Sequence, residues 1–519
     1  MSSEDSVLTE EEIEHGLQMM TWQGITSQVR ITLTESVFLV GFALALNAPN
    51  TLIGILAAIP FIAQLLQIPS VYLIHKAGKR KNFNIVTQIG NRFAIYAMAI
   101  IPFISTGEIG LLLLVAFVAV QAVFNGLGSP SWNSWLRDLV PQDRLGGFFS
   151  VRMALTGVVA IVVSLIGGQF IGQWDEIHGL QAIEGYSVLF FIAFVFGMVA
   201  VYFTMATPEP KMRIPERQTK FTDLVAKPFQ DDNFRKLMWF SAAWTFSTTL
   251  AAPFFTVYLL SELNLGLPIV TVLISLTSLV SIIFFRFWGR LSDRFSNKSI
   301  LQVSAPLFII GTIMWTFTPV ARLYSLLIPL LIIIHLITGF AAAGVNLASA
   351  NIGLKLSPKG ESTAYLAARG SVVALAGTGA PLIGGALGDI LKRYTLSLTI
   401  IEDPNGVYPL YSIAGFSFVF LLSAVFGLYA LHKLSLVKET GEVEEKIVID
   451  AIVAETRRNV RTLSTIDGLR STFHIPVSER EGSNKRRKRR NTIQKMDEDD
   501  NKKECEFEKS VGEEGFQEE

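Results

Sequence analysis

Apolar runs of about 20 residues, the length of helix that crosses a bilayer, recur along this chain from Thr32 to Leu431 and constrain its fold more than any other feature. Half of the residues are hydrophobic and the mean hydropathy is +0.44. A soluble chain of this length does not normally reach that average. A large soluble helical protein with buried helices is the alternative, but too many runs reach spanning length without a polar face. The pattern therefore predicts an all-α membrane protein.

Turn-forming residues such as Pro49 and Pro208 separate the runs and predict twelve transmembrane helices. The predicted bounds are 30–48, 51–74, 83–105, 109–134, 146–172, 185–206, 236–260, 268–288, 299–318, 323–350, 363–390 and 408–431. Every second connection is basic, with 18 Lys and Arg residues in that set and only Arg322, Lys392 and Arg393 in the other. The positive-inside rule therefore predicts that both termini are cytoplasmic, in a multi-pass protein of the plasma (inner) membrane.

The longest polar connection between runs divides six spans from six. The predicted segments are a cytoplasmic N-terminal segment (1–28), a first six-helix bundle (29–207), a cytoplasmic central loop (208–235), a second bundle (236–431) and a cytoplasmic, mostly disordered charged tail (432–519). The N-terminal segment lacks the basic start and cleavage site of a signal peptide, so we expect it to be retained.

The tail contains the basic run Lys485–Arg490. Such a run could bind anionic lipid with about 1 kcal/mol per basic residue, and a solvated charge run beside the acidic residues 497–500 is the alternative. The single cysteine, Cys505, excludes a disulfide within the chain and makes a metal site an unlikely expectation. We expect no metal, no cofactor and no nucleic-acid partner, and a monomer.

An internal repeat supports the six-plus-six division. A shift of 217 residues places Pro141 on Pro358, Arg152 on Arg369 and 165–168 on 382–385. The charged connections align at a shift of 218, which places His75 on Asp293. Matches of proline and arginine between apolar helices are not expected by chance, so we interpret the pattern as a duplication. Two such halves with both termini inside are the plan of parallel-repeat transporters.

The connection G-R-L-S-D-R-F-S-N-K, Gly289–Lys298, carries a resemblance to the major facilitator superfamily. Its residues match the signature loop of that family at Gly289, Leu291, Asp293, Arg294 and Lys298, and Arg290 belongs to the same predicted gating loop. A degraded first-half copy keeps Gly78, Lys79 and Arg80 but has His75 at the acidic position. The stretch from Trp135 to Arg152 resembles bacterial-type members of undefined substrate.

The resemblance implies that this loop latches the two halves together on the cytoplasmic side. Asp293 would then lie beside the start of the fifth helix, near Gly146 and Gly147, where a helix dipole favours an anion by about 0.3–1 kcal/mol. A topology signal without a gating role is the alternative. Because His75 replaces the acid in the first half, we do not expect a symmetric gate.

Charges inside the spans are candidates for function, because burying one in lipid costs at least about 2.5–3.5 kcal/mol. Glu35 lies in the first predicted helix and Arg92 in the third. The two could form a structural pair, or Glu35 could load the proton of a proton-coupled carrier. Measuring transport across pH with Glu35→Gln would separate these alternatives.

Uncharged polar residues form further candidates for a solute site. They are Gln121 and Asn125 in the fourth span, Trp244 and Thr245 in the seventh, Ser275 in the eighth, and His335 and Asn346 in the tenth. Such stripes suit a cavity at the midplane, but they serve hydrogen bonding between helices equally well. His335 could equally be a packing histidine.

A last group of residues is predicted to act in gating or helix packing. Arg152 and Arg369 lie near the cytoplasmic ends of helices 5 and 11, where each could snorkel or close a gate against the opposite half. The glycine and proline positions Gly167, Gly168, Pro381, Gly384 and Gly385 would let helices approach closely.

These patterns predict a secondary transporter that moves a small organic solute by alternating access, with proton coupling as the default. A membrane receptor or regulator that does not transport and a lipid flippase are the alternatives. No phosphate-binding loop, zinc-protease motif or hydrolase elbow occurs in the sequence, so we predict that the chain is not an enzyme.

Overall fold

The computed structural model describes residues 8–77, 80–141, 144–179, 183–210, 227–323, 325–358, 362–402, 406–443 and 447–450. The first half contains α1 (Glu10–Thr34), α2 (Ser36–Ala45), α3 (Asn50–Gln64), α4 (Gln67–Ala77), α5 (Arg80–Ile104), α6 (Glu108–Leu139), α7 (Leu145–His178) and α8 (Glu184–Ala206). The second half contains α9 (Asp232–Val257), α10 (Leu267–Arg294), α11 (Asn297–Met314), α12 (Thr318–Leu323), α13 (Leu327–Lys355), α14 (Ser362–Leu391), β1 (Thr395–Glu402), β2 (Gly406–Ala414) and α15 (Phe416–Ser435).

Ten helical stretches within the described residues are long and apolar enough to cross a membrane. The pairs α1–α2, α3–α4 and α11–α12 each make one broken span, and a π-helical turn, Tyr258–Glu262, extends α9. With the α3–α4 pair and α5 added, the helices make twelve traverses, in agreement with the predicted all-α fold of two six-helix bundles.

The helix α5 has one face that is polar and buried. Arg80, Asn84, Thr87, Asn91 and Arg92 all lie on this face with little solvent exposure. The face packs against α6 and α8 inside the first half. A polar face is stable at this depth because the neighbouring helices, and not lipid, supply its hydrogen-bond partners.

The first helix begins at Glu10, about 20 residues before the predicted start at residue 30. Thr9 caps it in a reciprocal capping box with Glu12. Its early turns bury Leu17 and Met20 against Trp135, at the end of α6. Only one face of this segment is apolar, so its average polarity concealed the helix within the predicted polar segment.

The last span also begins later than predicted, at Phe416, because Thr395–Glu402 and Gly406–Ala414 pair as antiparallel strands. Both strands are rich in β-branched and aromatic residues, which favour extended backbone. Gly415 follows with φ of +52°, a left-handed conformation that glycine adopts without a side-chain clash. The residues of the predicted turn at 403–405 lie outside the described part of the chain.

The predicted disordered tail begins at residue 432, but hydrogen bonds hold residues after α15 in place as far as Val443. Lys438 exchanges two hydrogen bonds of 2.8 Å with the Asn233 side chain, and Val443 exchanges two with the Ser299 hydroxyl. The described residues thus attach 436–443 to the starts of α9 and α11. The basic run at 485–490 lies outside the described residues.

Two faces of the bundle are needed to locate the site. We call the end that carries Arg80, Arg144, Lys298 and Lys355 the basic face, and the end that carries β1 and β2 the opposite face. The largest buried apolar cluster, which includes Phe42, Phe190, Phe254 and Phe420, draws on both halves.

Candidate transport cavity

A cavity of about 630 Å³ lies between the two halves. The helices α1 to α6 of the first half line most of it, and α9 and Pro381 of α14 supply the wall from the second half. Most lining side chains are apolar, such as Leu39, Ile53, Leu56 and Phe61. Size and lining are typical of a site for a small organic molecule.

The first spanning helix is broken where it meets this cavity. The helix α1 ends at Thr34, α2 begins at Ser36, and the Ser36 backbone has φ of +52°. Thr34, Glu35 and Ser36 all line the cavity. Irregular backbone at membrane depth occurs where it borders a cavity, and left-handed backbone at a residue other than glycine is strained, which is common at binding sites.

Three predicted solute-site residues come together here. Glu35, Gln121 and Asn125 line the same cavity, and Glu35 is the only ionisable side chain among the described residues of its wall. The sequence did not single out several other polar residues of the cavity wall, which are Thr34, Gln64, Gln67, Asn91, Ser129 and Thr256. Their interruption of apolar runs was a weak signal, since packing residues interrupt such runs in the same way.

Six other predicted solute or proton candidates do not line this cavity: Arg92, Trp244, Thr245, Ser275, His335 and Asn346. Trp244 packs its ring edge-on against Phe308, and the buried hydroxyl of Ser275 has no partner among the described residues. Thr245 accepts hydrogen bonds from α9 side chains through its carbonyl, and the Asn346 side chain is exposed elsewhere on α13.

His335 is buried in the second half. Its Nδ1 hydrogen-bonds the Leu331 carbonyl at 2.7 Å, and its ring meets the edge of Trp315. This is the packing arrangement that the sequence left open as the alternative to a proton or solute group.

Arg92 does not pair with Glu35, so the structural pairing proposed from the sequence is wrong in this arrangement. Its guanidinium donates to the Asn91 side chain at 3.0 Å, the Gln88 side chain at 3.1 Å and the Gly197 carbonyl at 3.4 Å. All three acceptors are neutral. Glu35 instead lies about one turn beyond Arg30, and the two opposite charges attract each other without forming an ion pair.

The halves touch closely toward the opposite face. A Cβ on Gly54 would stand 2.3 Å from the Pro381 carbonyl oxygen, and one on Gly385 would stand 2.5 Å from that of Asn50. A Cβ on Gly168 of α7 would stand 2.1 Å from the Thr271 hydroxyl of α10. These glycines let the backbones of the two halves approach.

The remaining predicted packing glycines lie against helices of their own half. A Cβ on Gly167 would meet Phe38 at 2.8 Å, and one on Gly384 would meet the Leu250 carbonyl at 2.3 Å.

A carboxylate adds a polar tie at the same face. Asp389, near the end of α14, accepts hydrogen bonds from the backbone amides of Asn50 and Thr51 at 3.2 and 2.8 Å, and from the Thr51 hydroxyl at 2.6 Å. These are the first amides of α3, which have no partner within their own helix. The bond therefore joins the second half to the first.

Toward the basic face, no atom of the described residues lies within 4 Å of the Cβ positions of Gly147 of α7, Gly289 of α10 and Gly370 of α14. The Asp293 side chain and Gly146 lie outside what the structure describes, so the latch stays a prediction.

Arg152 and Arg369 bind within their own halves and do not reach across. Arg152 donates to the Gln23 side chain at 3.1 Å and lies 2.8 Å from the Cβ position of Gly24, and Arg369 donates to the Ser241 hydroxyl at 2.8 Å. Gly24 and Ser241 are 217 residues apart, as are the two arginines. The duplication inferred from sequence is thus repeated in the contacts, and a gate across the halves through these arginines is not.

Two basic residues of the signature loops are buried in the structure. Arg80 of the first half forms ion pairs with Asp138 and Glu209 and is fully buried. Lys298 of the second half pairs with Glu442 at 2.5 Å and donates to the Ser435 carbonyl.

The other signature residues stand at the surface or outside the description. Arg290 and Arg294 are exposed, and Arg294 lies over the Phe295 ring. Gly78, Lys79 and the His75 side chain lie outside the described residues.

Comparison with known proteins decides what this arrangement is. The profile of the Major Facilitator Superfamily matches residues 24–381 and 246–464, which together span most of the chain. The chain belongs to the major facilitator superfamily. It is therefore an integral, multi-pass membrane transporter and not an enzyme. No curated protein sequence matches it significantly.

Solved structures share the fold of this superfamily member at low identity. A variant of the nucleoside transporter NupG is 13% identical, with a TM-score of 0.61, and the match covers 81% of this chain and 100% of that one. A bacterial homologue of the human lysosomal transporter Spinster, solved inward-facing and unoccupied, is 14% identical, with a TM-score of 0.60 and coverage of 83% and 98%. A bacterial homologue of the iron transporter ferroportin, also inward-facing, is 14% identical, with a TM-score of 0.56 and coverage of 82% and 99%.

Proposed function

We infer that this superfamily member carries a small organic solute across the membrane by alternating access, with the cavity at the Glu35–Ser36 break as its solute site. The observation that carries the proposal is the break itself. A spanning helix interrupted at a midplane cavity presents unpaired backbone groups and polar side chains to a ligand, as broken helices do in secondary transporters.

The position of the contacts between halves supports the mechanism. Close packing and the Asp389 tie hold the opposite face together, whereas the described glycines near the basic face, Gly147, Gly289 and Gly370, have no such close neighbours. If the basic face is cytoplasmic, as the positive-inside rule predicts, the cavity is closed to the outside and open to the inside. Transport then requires the reverse arrangement, in which the contacts at the opposite face break.

Glu35 is our candidate for coupling to protons. It is exposed to the cavity and has no hydrogen-bond partner among the described residues, so a proton or a solute can reach it. Transport by Glu35→Gln that no longer depends on a pH gradient is the expected result. Unchanged pH dependence in that variant would contradict the coupling role.

A blocked cavity tests the transport function directly. Purified protein is first screened for solutes that raise its melting temperature, and counterflow of each hit is then measured in proteoliposomes. Ala57 lines the cavity, so Ala57→Trp is expected to abolish counterflow. Val195→Trp, on the exposed surface of α8, is the matched control and is expected to leave it intact.

Equal counterflow by both tryptophan variants would refute the cavity as the route. Solutes that bind without moving would favour a receptor, and movement of labelled lipid that Ala57→Trp blocks would favour a flippase.

A further inference from the structure

Two buried arginines meet inside the first half, directly behind the cavity wall. Arg30 of α1 and Arg92 of α5 are 6% and 5% exposed. Both side chains cross the face of Gly197 on α8, where a Cβ would stand 3.2 Å from Arg30 Cδ and 2.9 Å from Arg92 Cγ. The absence of a side chain at Gly197 is what allows two guanidinium groups to lie at this point.

The arginines lack a bonded counterion among the described residues. The Nε atom of Arg30 is buried and makes no hydrogen bond. Arg92 donates only to neutral acceptors, which are two side-chain amides and a backbone carbonyl. A buried cation without a paired anion is costly, and more so in a membrane protein, where water is scarce.

The charge of Glu35 does not balance the pair. It acts on Arg30, but it forms an ion pair with neither arginine and is exposed to the cavity. Even with Glu35 ionised, two positive charges stand against one negative charge. The cluster therefore has an excess of positive charge that a bound anion would reduce.

The cluster is within reach of the cavity. Thr34, one turn beyond Arg30 on α1, lines the cavity, and its hydroxyl donates to the Arg30 carbonyl. Asn91 also lines it and accepts the hydrogen bond from Arg92. Thr34 and Asn91 therefore stand at the cavity wall beside the Arg30 backbone and the Arg92 guanidinium.

We propose that Arg30 and Arg92 bind the carboxylate of a small organic monoanion that enters through the central cavity. Arginine presents paired N–H donors that match a carboxylate. Glu35 competes with the incoming carboxylate for Arg30, so the ligand binds best when Glu35 carries no charge. The inference rests on the proposed function for the substrate class alone, because binding itself needs no transport.

The test measures melting temperature of the purified full-length protein while sodium benzoate or sodium lactate replaces sodium chloride at constant total sodium. Benzamide, the uncharged analogue of benzoate, is the ligand control. We expect either carboxylate to raise the melting temperature in a saturable way and benzamide to leave it unchanged.

Four variants locate the site. The half-saturating carboxylate concentration is expected to rise at least about tenfold in Arg30→Gln and Arg92→Gln, since each loses a charge-assisted contact. Arg235→Gln, at an exposed ion pair with Asp232, is the matched control and is expected to match the wild type. Glu35→Gln keeps both arginines and removes the competing charge, so its half-saturating concentration is expected to fall.

Three results would overturn the proposal: no stabilisation by either carboxylate, equal stabilisation by benzoate and benzamide, or binding of chloride alone. If the arginine variants do not fold, Glu35→Gln decides, because unchanged or weaker carboxylate binding in that variant refutes the competition. A neutral solute carried in proteoliposomes without carboxylate binding refutes the anion site and leaves the proposed function standing. Carboxylate binding without transport of any solute supports the anion site and refutes the proposed function.

Discussion

Asp389 ties the two halves together at the opposite face, so its substitution is expected to shift the balance between transport states. The carboxylate accepts three hydrogen bonds from Asn50 and Thr51 at the start of α3. Breaking them is part of opening that face. Asp389→Asn keeps the shape of the side chain, but it removes the charge and replaces one acceptor oxygen with an amide that repels the same donors.

The size of the shift follows from these contacts. A hydrogen bond to a charged group contributes about 1.5–3 kcal/mol, and attraction to the helix N-terminus about 0.3–1 kcal/mol. Because Asp389 is half-buried and asparagine keeps one acceptor, we expect a net loss of about 2 kcal/mol. At 1.4 kcal/mol for each factor of ten, the ratio of open to closed opposite faces would rise roughly 30-fold.

Distances between spin labels at the opposite face measure this ratio. Ile177, near the end of α7, and Leu326, before α13, are exposed there in different halves. Both would be replaced by cysteine in a background without Cys505, the only native cysteine. In Asp389→Asn we expect a second, longer distance to gain population, and uptake from the basic side to slow.

Asp231 offers a control with the same chemistry inside one half. Its carboxylate caps α9 by accepting from the Phe234 amide at 2.9 Å. Asp231→Asn is therefore expected to lower stability without changing the label distances. Identical distance distributions in wild type, Asp389→Asn and Asp231→Asn would show that the carboxylate does not hold the opposite face closed, and would refute the reasoning.

Three further predictions concern packing and charge. Arg80→Ala leaves two carboxylates without their buried partner, so we expect the free energy of unfolding in denaturant to fall by about 3–5 kcal/mol. Arg235→Ala, at an exposed ion pair, is expected to change it little, and equal effects of the two variants would contradict the buried network. Gly168→Val forces a side chain against α10, so we expect it to lower the melting temperature and the transport rate. Gly379→Ala, where the added Cβ faces open space, is expected to change neither quantity. An unchanged melting temperature and transport rate in Gly168→Val would argue against close approach of α7 and α10. Glu439→Gln weakens the hydrogen bonds between the segment after α15 and the start of α11, so we expect faster cleavage near that segment in limited proteolysis. Cleavage at the wild-type rate would show that the charge of Glu439 is dispensable.

The contrast between Arg80 and Arg152 shows how far sequence reasoning reaches. The repeat placed both arginines at the basic face and paired Arg152 with Arg369, and the contacts with Gly24 and Ser241 repeat that pairing. The described contacts of both arginines lie within their own half, because a sequence shows that a charge stands at a helix end but not which carboxylate or carbonyl folds back onto it. Glu209 reaches Arg80 across 129 residues of chain.

The sequence by itself determined the membrane class, the twelve spans and the duplication, because each depends on local apolar length and on patterns that survive along the chain. It also marked Glu35, Gln121 and Asn125, since polar groups in apolar runs are conspicuous. Only the tertiary structure decided that α1 breaks at Ser36, that Asp389 bonds to the first half, and that Arg30 and Arg92 lie together with no carboxylate of the described residues bonded to them. Each of these depends on which helix packs beside which, and that is set by contacts between residues far apart in the chain.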